Sequence, residues 1–307
     1  MDEKIYDLII IGAGPAGLSA SIYASRFGIK HLVVGSLMGG LISETHLIDN
    51  YPGVEDASGF DFSQKLVHHV KKYGAEIMPV MVRKINKKAD RFELALDGGK
   101  KMEAKSILLA TGTKRRKLGA KGEEEFSGKG VSYCATCDGF FYKDKTAAVV
   151  GGSDSAAGAA LYLAEIAQKV YLIYRKDKLR AESHWINLIE KNEKIEVIFN
   201  TNVTEISGEG KVEKVRLDTP YKNQNELKLD GVFIEVGSDP TVDFAKDLGL
   251  AIDEGGFIKI NKDASTSLAG VWAAGDITDG SDKFRQVITA ASEGAIAARS
   301  ISNYLKK

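Results

Sequence analysis

Cysteine is almost absent, with two in 307 residues. Both lie in one segment, Cys134-Ala-Thr-Cys137-Asp138. So small a number excludes the disulfide framework that staples small secreted domains. It also excludes a four-ligand structural zinc site, because there is no second cysteine pair and no nearby histidine. Charge of one sign is lacking too. Forty-two basic residues balance 42 acidic ones, so nothing favours nucleic acid or an anionic membrane as a partner. Long hydrophobic runs are missing. The apolar N-terminal stretch Ile5–Ile11 is too short for a signal peptide or a membrane span, so the expected location is the cytoplasm. Proline is scarce at 5 residues while glycine reaches 32, a balance that suits an α/β protein with tight turns close to ligands.

The length is too great for one comfortable core and calls for two domains. Near the N-terminus, Ile5–Ile11 is a β-branched run that ends in Gly12-Ala-Gly14-Pro-Ala16-Gly17. A helical pattern follows to about Phe27, then a second strand at His31–Val34. Strand, glycine turn, helix and strand in that order form the βαβ unit that binds dinucleotides. The turn leaves free N–H groups and the positive helix end facing a pyrophosphate. The acid expected after the second strand, for a ribose hydroxyl, is replaced by Gly35-Ser36. A second unit of the same kind begins about 140 residues later, at Ala147–Val150. Its turn reads Gly151-Gly152-Ser153-Asp154-Ser155-Ala156, followed by a helix to about Gln168 and a strand at Val170–Tyr174. Arg175, Lys176 and Arg180 lie just beyond that strand, where cations suit a 2′-phosphate.

The cysteine pair falls between the two turns. A disulfide closing a loop of about four residues removes only about 2 kcal/mol of unfolded-state entropy, so stabilisation is a poor reason for it. Two unrelated thiols are one alternative, and a pair that cycles between dithiol and disulfide is the other. The nucleotide turns on either side favour the redox pair as the destination of electrons.

Several segments together resemble the low-molecular-weight thioredoxin reductases over essentially the whole chain. They are Gly12–Gly17, Asp49-Asn50-Tyr-Pro-Gly53, Ala110-Thr111-Gly112, Cys134-Ala-Thr-Cys-Asp-Gly-Phe-Phe-Tyr142, and Gly275-Asp276 followed by Arg285-Gln286. The resemblance implies an α/β fold with two Rossmann-like, three-layer nucleotide-binding domains, the second inserted into the first. An FAD domain would take residues 1–116 and 247–307, and an NAD(P)H domain, carrying the cysteines, residues 117–246. FAD would be held by Gly12, Gly14, Ala16, Gly17, Ser36, Gly39, Gly40, Asn50, Thr111 and Gly112. Asp276 would sit at its ribityl or phosphate region, with Arg285 and Gln286 at the flavin ring. NADPH would be held by Gly152, Ser153, Asp154, Ser155, Arg175, Lys176 and Arg180. Cys137 would face the flavin, Cys134 would attack the partner's disulfide, and Asp138 would serve both as acid and base. The implied partner is thioredoxin or a thioredoxin- or glutaredoxin-like protein, and the implied assembly is a homodimer.

Departures from the family pattern concentrate on the second turn. Ser153 stands for a glycine, Gly158 and Ala159 for two glutamates, and Tyr174 for a histidine. Near the flavin, Leu41 stands where the family carries glutamine. These differences leave a second reading, with the same flavin and disulfide chemistry but ferredoxin, a deazaflavin or oxygen as electron partner. A third is a flavin-binding redox sensor without turnover.

Overall fold

The structure, a computed structural model, describes residues 5–306. The chain folds into two compact units. The first takes residues 5–43, Ile48–Lys114 and residues 239–306, and the second takes Glu44–Leu47 and Arg115–Ser238. The expected domain edge at residue 246 falls inside the helix Asp243–Asp247. Ala245 of that helix is fully buried with Val242 and Leu250 in the core of the first unit, so this segment goes with the first unit.

Among the described residues, the first unit carries a seven-stranded sheet. Ile5–Ile11 lies inside it, parallel to His31–Val34 on one side and to Lys101–Leu109 on the other. Glu76–Met78 extends the sheet beyond His31–Val34, and Val271–Ala273 pairs in parallel with Lys101–Leu109. Phe92–Leu96 and Val82–Lys87 add an antiparallel edge. Leu8, Ile9 and Ile10 are all fully buried, which is why the run shows no alternation: both faces of the sheet are covered. Ile9 and Ile11 enter one core with Leu94 and Ile107. Leu8 and Ile10 enter another, with Ala16 and Ala20 of the helix Pro15–Arg26 and Ala297 and Ile301 of the helix Val287–Tyr304. The two helices approach closely because the facing residues are small. A Cβ on Gly294 would lie 2.0 Å from the carbonyl oxygen of Ala16.

The second unit holds a five-stranded sheet among its described residues, in the order Ile195–Ile198, Lys169–Ile173, Thr146–Gly151, Gly231–Glu235, Val131–Ser132. Every pairing in it is parallel. The helix Asp154–Ile166 packs Ala156, Ala160 and Leu163 against Ala147 and Val149. A three-stranded antiparallel sheet, Val203–Ser207 with Lys214–Tyr221 and Gln224–Lys228, completes the unit. In each unit three parallel strands stand in reverse chain order, Glu76–Met78, His31–Val34, Ile5–Ile11 in the first and Ile195–Ile198, Lys169–Ile173, Thr146–Gly151 in the second. A later parallel strand, Lys101–Leu109 or Gly231–Glu235, lies beyond the last of them, which is the Rossmann arrangement. The expected α/β class with two nucleotide-binding folds, the second lying in an interruption of the first, is what the chain forms. No helix among the described residues is long and apolar enough to cross a membrane.

Candidate active site

The first glycine turn is shaped by close approaches. Gly12 follows the strand with φ +122°, and a Cβ there would lie 2.0 Å from the carbonyl oxygen of Ala110, so only glycine fits. A Cβ on Gly17 would meet the carbonyl oxygen of Gly12 at the same distance. Gly14 is different. Its nearest neighbours would be Gly40 Cα at 3.8 Å and the Gly39 oxygen at 3.9 Å, so one side of it is open. Gly14 is also the N-cap of Pro15–Arg26, and no side chain caps that helix. Its free N–H groups and open face fit a diphosphate. Gly39 and Gly40 back the turn, with the Gly39 N–H donating to the Ala13 carbonyl at 2.9 Å. Ser36 is exposed just past the second strand, and Thr111 donates to the Thr241 carbonyl at 3.0 Å.

Gly275-Asp276 follows the strand Val271–Ala273 in the same unit. Asp276 is largely buried, and burial pushes its carboxyl above the ordinary range, with Arg285 opposing the shift and Glu293 adding to it. The Arg285 guanidinium lies 4.1 Å from the centre of the Phe257 ring. Gln286, expected at the flavin ring, caps the C-terminal helix through a reciprocal box with Thr289. Asn50 donates to the Gln286 side chain at 3.0 Å, so two expected flavin residues hold one another.

In the second unit Cys134 and Cys137 form a disulfide, with their Cα atoms 5.3 Å apart. Cys134 is the N-cap of the short helix Ala135–Asp138, and its sulfur accepts the Cys137 N–H at 3.2 Å. The two sulfurs are not equally placed: Cys134 is 9% exposed, whereas Cys137 is exposed. The Thr136 hydroxyl donates to the Glu44 carbonyl, and Cys134 Sγ lies 3.9 Å from that oxygen. The Glu44 carboxylate in turn accepts from Arg115 at 2.7 Å, and Arg115 also pairs with Glu235 at 3.2 Å. Burial pushes the Glu235 carboxyl up to about 7, with Arg115 opposing the shift. Asp138 is half-buried, and its N–H donates to the Cys134 carbonyl at 3.2 Å. Phe140 and Phe141, two and three residues beyond Asp138, are 72% and 68% exposed.

The second glycine turn is tighter than the first. Tyr174 lays its ring on Gly152, where a Cβ would come within 2.6 Å of three ring atoms. Ser153 is the N-cap of Asp154–Ile166, yet its hydroxyl makes no capping bond and stays available. Asp154 instead accepts the Glu182 N–H at 2.7 Å, while the Gly152 carbonyl accepts the Arg180 N–H at 2.8 Å. Ser155, Arg175, Lys176 and Arg180 are all exposed. An uncapped helix end with three free-standing cations nearby fits a phosphorylated nucleotide.

Glu44, Arg115, Thr136 and Glu235 were not legible as site residues. Thr136 could have been found from its place between the cysteines, but nothing in the sequence pointed to the other three.

Two parallel-sheet units, each opening a glycine turn onto a helix N-terminus, with a Cys-x-x-Cys disulfide in one of them, define a nucleotide-dependent disulfide oxidoreductase. The family described as pyridine nucleotide-disulphide oxidoreductase matches residues 6–294, and the chain belongs to that family. It is 41% identical to the thioredoxin reductase of Bacillus subtilis, over 100% of this chain and 96% of the relative. The crystal structure of Lactococcus lactis thioredoxin reductase superposes with a TM-score of 0.93 at 37% identity, covering 98% of this chain and 99% of the other. That of T. acidophilum thioredoxin reductase superposes with a TM-score of 0.92, also at 37% identity, covering 98% of this chain and 99% of the other.

Proposed function

We propose that this chain is a flavin-dependent disulfide reductase, taking electrons from NADPH and passing them through Cys134–Cys137 to thioredoxin or a thioredoxin- or glutaredoxin-like protein. The observation that carries this reading is the Cys134–Cys137 disulfide at a helix N-terminus, in a unit with its own nucleotide turn. Full-length similarity to thioredoxin reductases supports the choice of partner. FAD belongs at Gly12–Gly17 with Gly39, Gly40 and Asp276, and NADPH at Gly152–Ser155 with Arg175, Lys176 and Arg180. A homodimer located in the cytoplasm is part of the same reading.

When bound, FAD supplies two-electron chemistry between a nicotinamide and a disulfide, which neither partner performs unaided. The chain's own residues then carry the exchange. In the dithiol form, the Cys134 thiolate attacks one sulfur of the partner's disulfide and expels the other as a thiolate. The Cys137 thiolate next attacks Cys134 Sγ, which re-forms the Cys134–Cys137 bond and releases the partner's second sulfur. Two protons finish the partner's thiols, and Asp138 is the carboxyl placed to hold and deliver one of them. Thioredoxin lies near about −270 mV, so the Cys134–Cys137 couple must lie near or below that value for the flow to run forward.

Replacement of Cys134 by serine tests the reading. NADPH-dependent reduction of thioredoxin should fall to background while the nucleotide units stay folded. Retention of the wild-type rate would overturn it.

A further inference from the structure

We propose that Glu293 is a positioning residue for the flavin site, fixing the turn that carries Asp276 by accepting hydrogen bonds from three groups of residues 275–281. This rests on the assignment of Asp276 to FAD.

Glu293 sits in an unexpected place. It lies on the buried face of Val287–Tyr304 among Ala290, Gly294, Ala297 and Ala298, and is only 7% exposed. A carboxylate is expensive there unless its oxygens are hydrogen-bonded. They are. Oε2 accepts the Gly275 N–H at 2.8 Å and the Thr278 hydroxyl at 2.9 Å. Oε1 accepts the Ser281 hydroxyl at 2.6 Å. All three donors come from one short stretch, so the carboxylate acts as the hub of that turn.

The turn is also shaped around the carboxylate. A Cβ on Gly280 would fall 2.6 Å from Glu293 Oε1. Thr278 adds internal bracing, because its oxygen accepts the Gly280 N–H at 3.1 Å and lies 3.0 Å from the Gly275 carbonyl. On its other side the turn meets the first nucleotide helix: a Cβ on Gly275 would lie 2.9 Å from Ala16 Cβ. Gly294, next to Glu293, packs on the Ala16 carbonyl. One step of the C-terminal helix therefore sets both the glycine turn, through Ala16, and the Asp276 turn, through the Gly275 N–H.

Packing does not account for an acid here. An alanine in this small-residue stripe would carry no charge to desolvate, but it would leave the Gly275 N–H without its acceptor. What the carboxylate adds is orientation, because fixing the Gly275 N–H fixes the peptide that leads into Asp276.

The test compares FAD affinity and thermal midpoint in wild type, Glu293→Ala, Glu293→Gln and Thr278→Val. FAD dissociation is read from flavin fluorescence on dilution of the holoprotein. Glu293→Ala should weaken FAD binding roughly tenfold, the worth of about one buried hydrogen bond. Glu293→Gln keeps an acceptor for Gly275 and Thr278, and its amide can donate to Ser281, so it should return to within about threefold of wild type. Glutamine also fills the same space, so Thr278→Val, which keeps Glu293 and removes one of its donors, separates positioning from filling of space and should weaken FAD binding too. If Glu293→Ala does not fold, Thr278→Val decides, and wild-type FAD affinity in that variant overturns the proposal. Wild-type affinity in Glu293→Ala, or failure of glutamine to rescue, overturns the proposal and leaves the FAD assignment standing. If the wild-type protein binds no FAD, both fall together.

Discussion

The Thr136 hydroxyl donates to the backbone carbonyl of Glu44, and the Cys134 sulfur lies 3.9 Å from the same oxygen. The segment Glu44–Leu47 therefore lies against the redox turn, with the His46 ring centre 4.3 Å from that of Tyr162. Cys134, the sulfur assigned to the partner, is the more buried of the two. It must be uncovered before a protein disulfide can reach it, and the Thr136 bond is one of the fastenings. Replacing Thr136 by valine keeps the shape and removes the donor, at a cost of about 1 kcal/mol. In prereduced protein, alkylation of Cys134 should then run roughly fivefold faster, as read by mass spectrometry. An unchanged rate would show that the hydroxyl fastens nothing.

Glu235 gives the second unit a pH dependence. Burial holds its proton up to about pH 7 in the folded chain, whereas an ordinary glutamate loses it near 4.5. The folded state thus binds more protons between those values. The stability linked to this group is fully present below pH 4.5 and is lost as pH rises through 7. The side chain is 10% exposed, so solvent screening is slight, and the loss amounts to roughly 3 kcal/mol. Glu235→Gln cannot ionise, and Arg115 retains Glu44 as a partner. Thermal unfolding should find the variant close to wild type at pH 5 and more stable than wild type at pH 8. A difference that does not change with pH would remove Glu235 as its source.

The two central glycines of the first turn should fail in different ways. Gly12→Ala forces a side chain onto the Ala110 carbonyl at a positive φ, so it should lower the thermal midpoint of the flavin-free protein. Gly14→Ala meets nothing closer than 3.8 Å within the protein. Its methyl instead enters the open face proposed for the pyrophosphate. The flavin-free midpoint should stay near wild type while FAD affinity falls at least tenfold, a cost of about 1.4 kcal/mol. If Gly14→Ala kept wild-type FAD affinity, the pyrophosphate would lie elsewhere.

The second turn makes a prediction about cofactor choice. Arg175 and Arg180 are exposed cations beyond the strand Lys169–Ile173. Replacing both by alanine should raise the KM for NADPH roughly tenfold through lost charge-assisted hydrogen bonds, leaving the KM for NADH nearly unchanged. Equal effects on both cofactors would argue against a 2′-phosphate contact. Ser153→Gly should leave NADPH use intact or improve it, because the hydroxyl makes no capping bond that would be lost.

Much of this was legible in the sequence because it was local. Ile5–Ile11 and His31–Val34 form strands at the expected residues, since a continuous β-branched run before a glycine turn has few other uses. The cysteine pair likewise needed only its own spacing. Contacts between distant residues were not legible. Nothing near Glu44 announces that its carbonyl meets Thr136, and nothing near Glu235 announces Arg115, because strand order in space creates both pairs. Glu293 was half-legible: a lone acid between Ala290 and Ala298 is conspicuous, but its three donors become visible only when the turn closes. Gln286 is expected at the flavin, and its role in capping a helix was not legible from its neighbours in the chain.

In the proposed function, nicotinamide electrons reach the Cys134–Cys137 disulfide through a bound flavin. The most direct measurement is an anaerobic titration of the purified protein with NADPH, following visible flavin absorbance and free thiols together. The account predicts that two equivalents of NADPH per chain are consumed, one electron pair opening the one disulfide to two new thiols and the second pair leaving the flavin absorbance bleached. Flavin absorbance that NADPH leaves unchanged, or bleaching with no thiols formed, would contradict it.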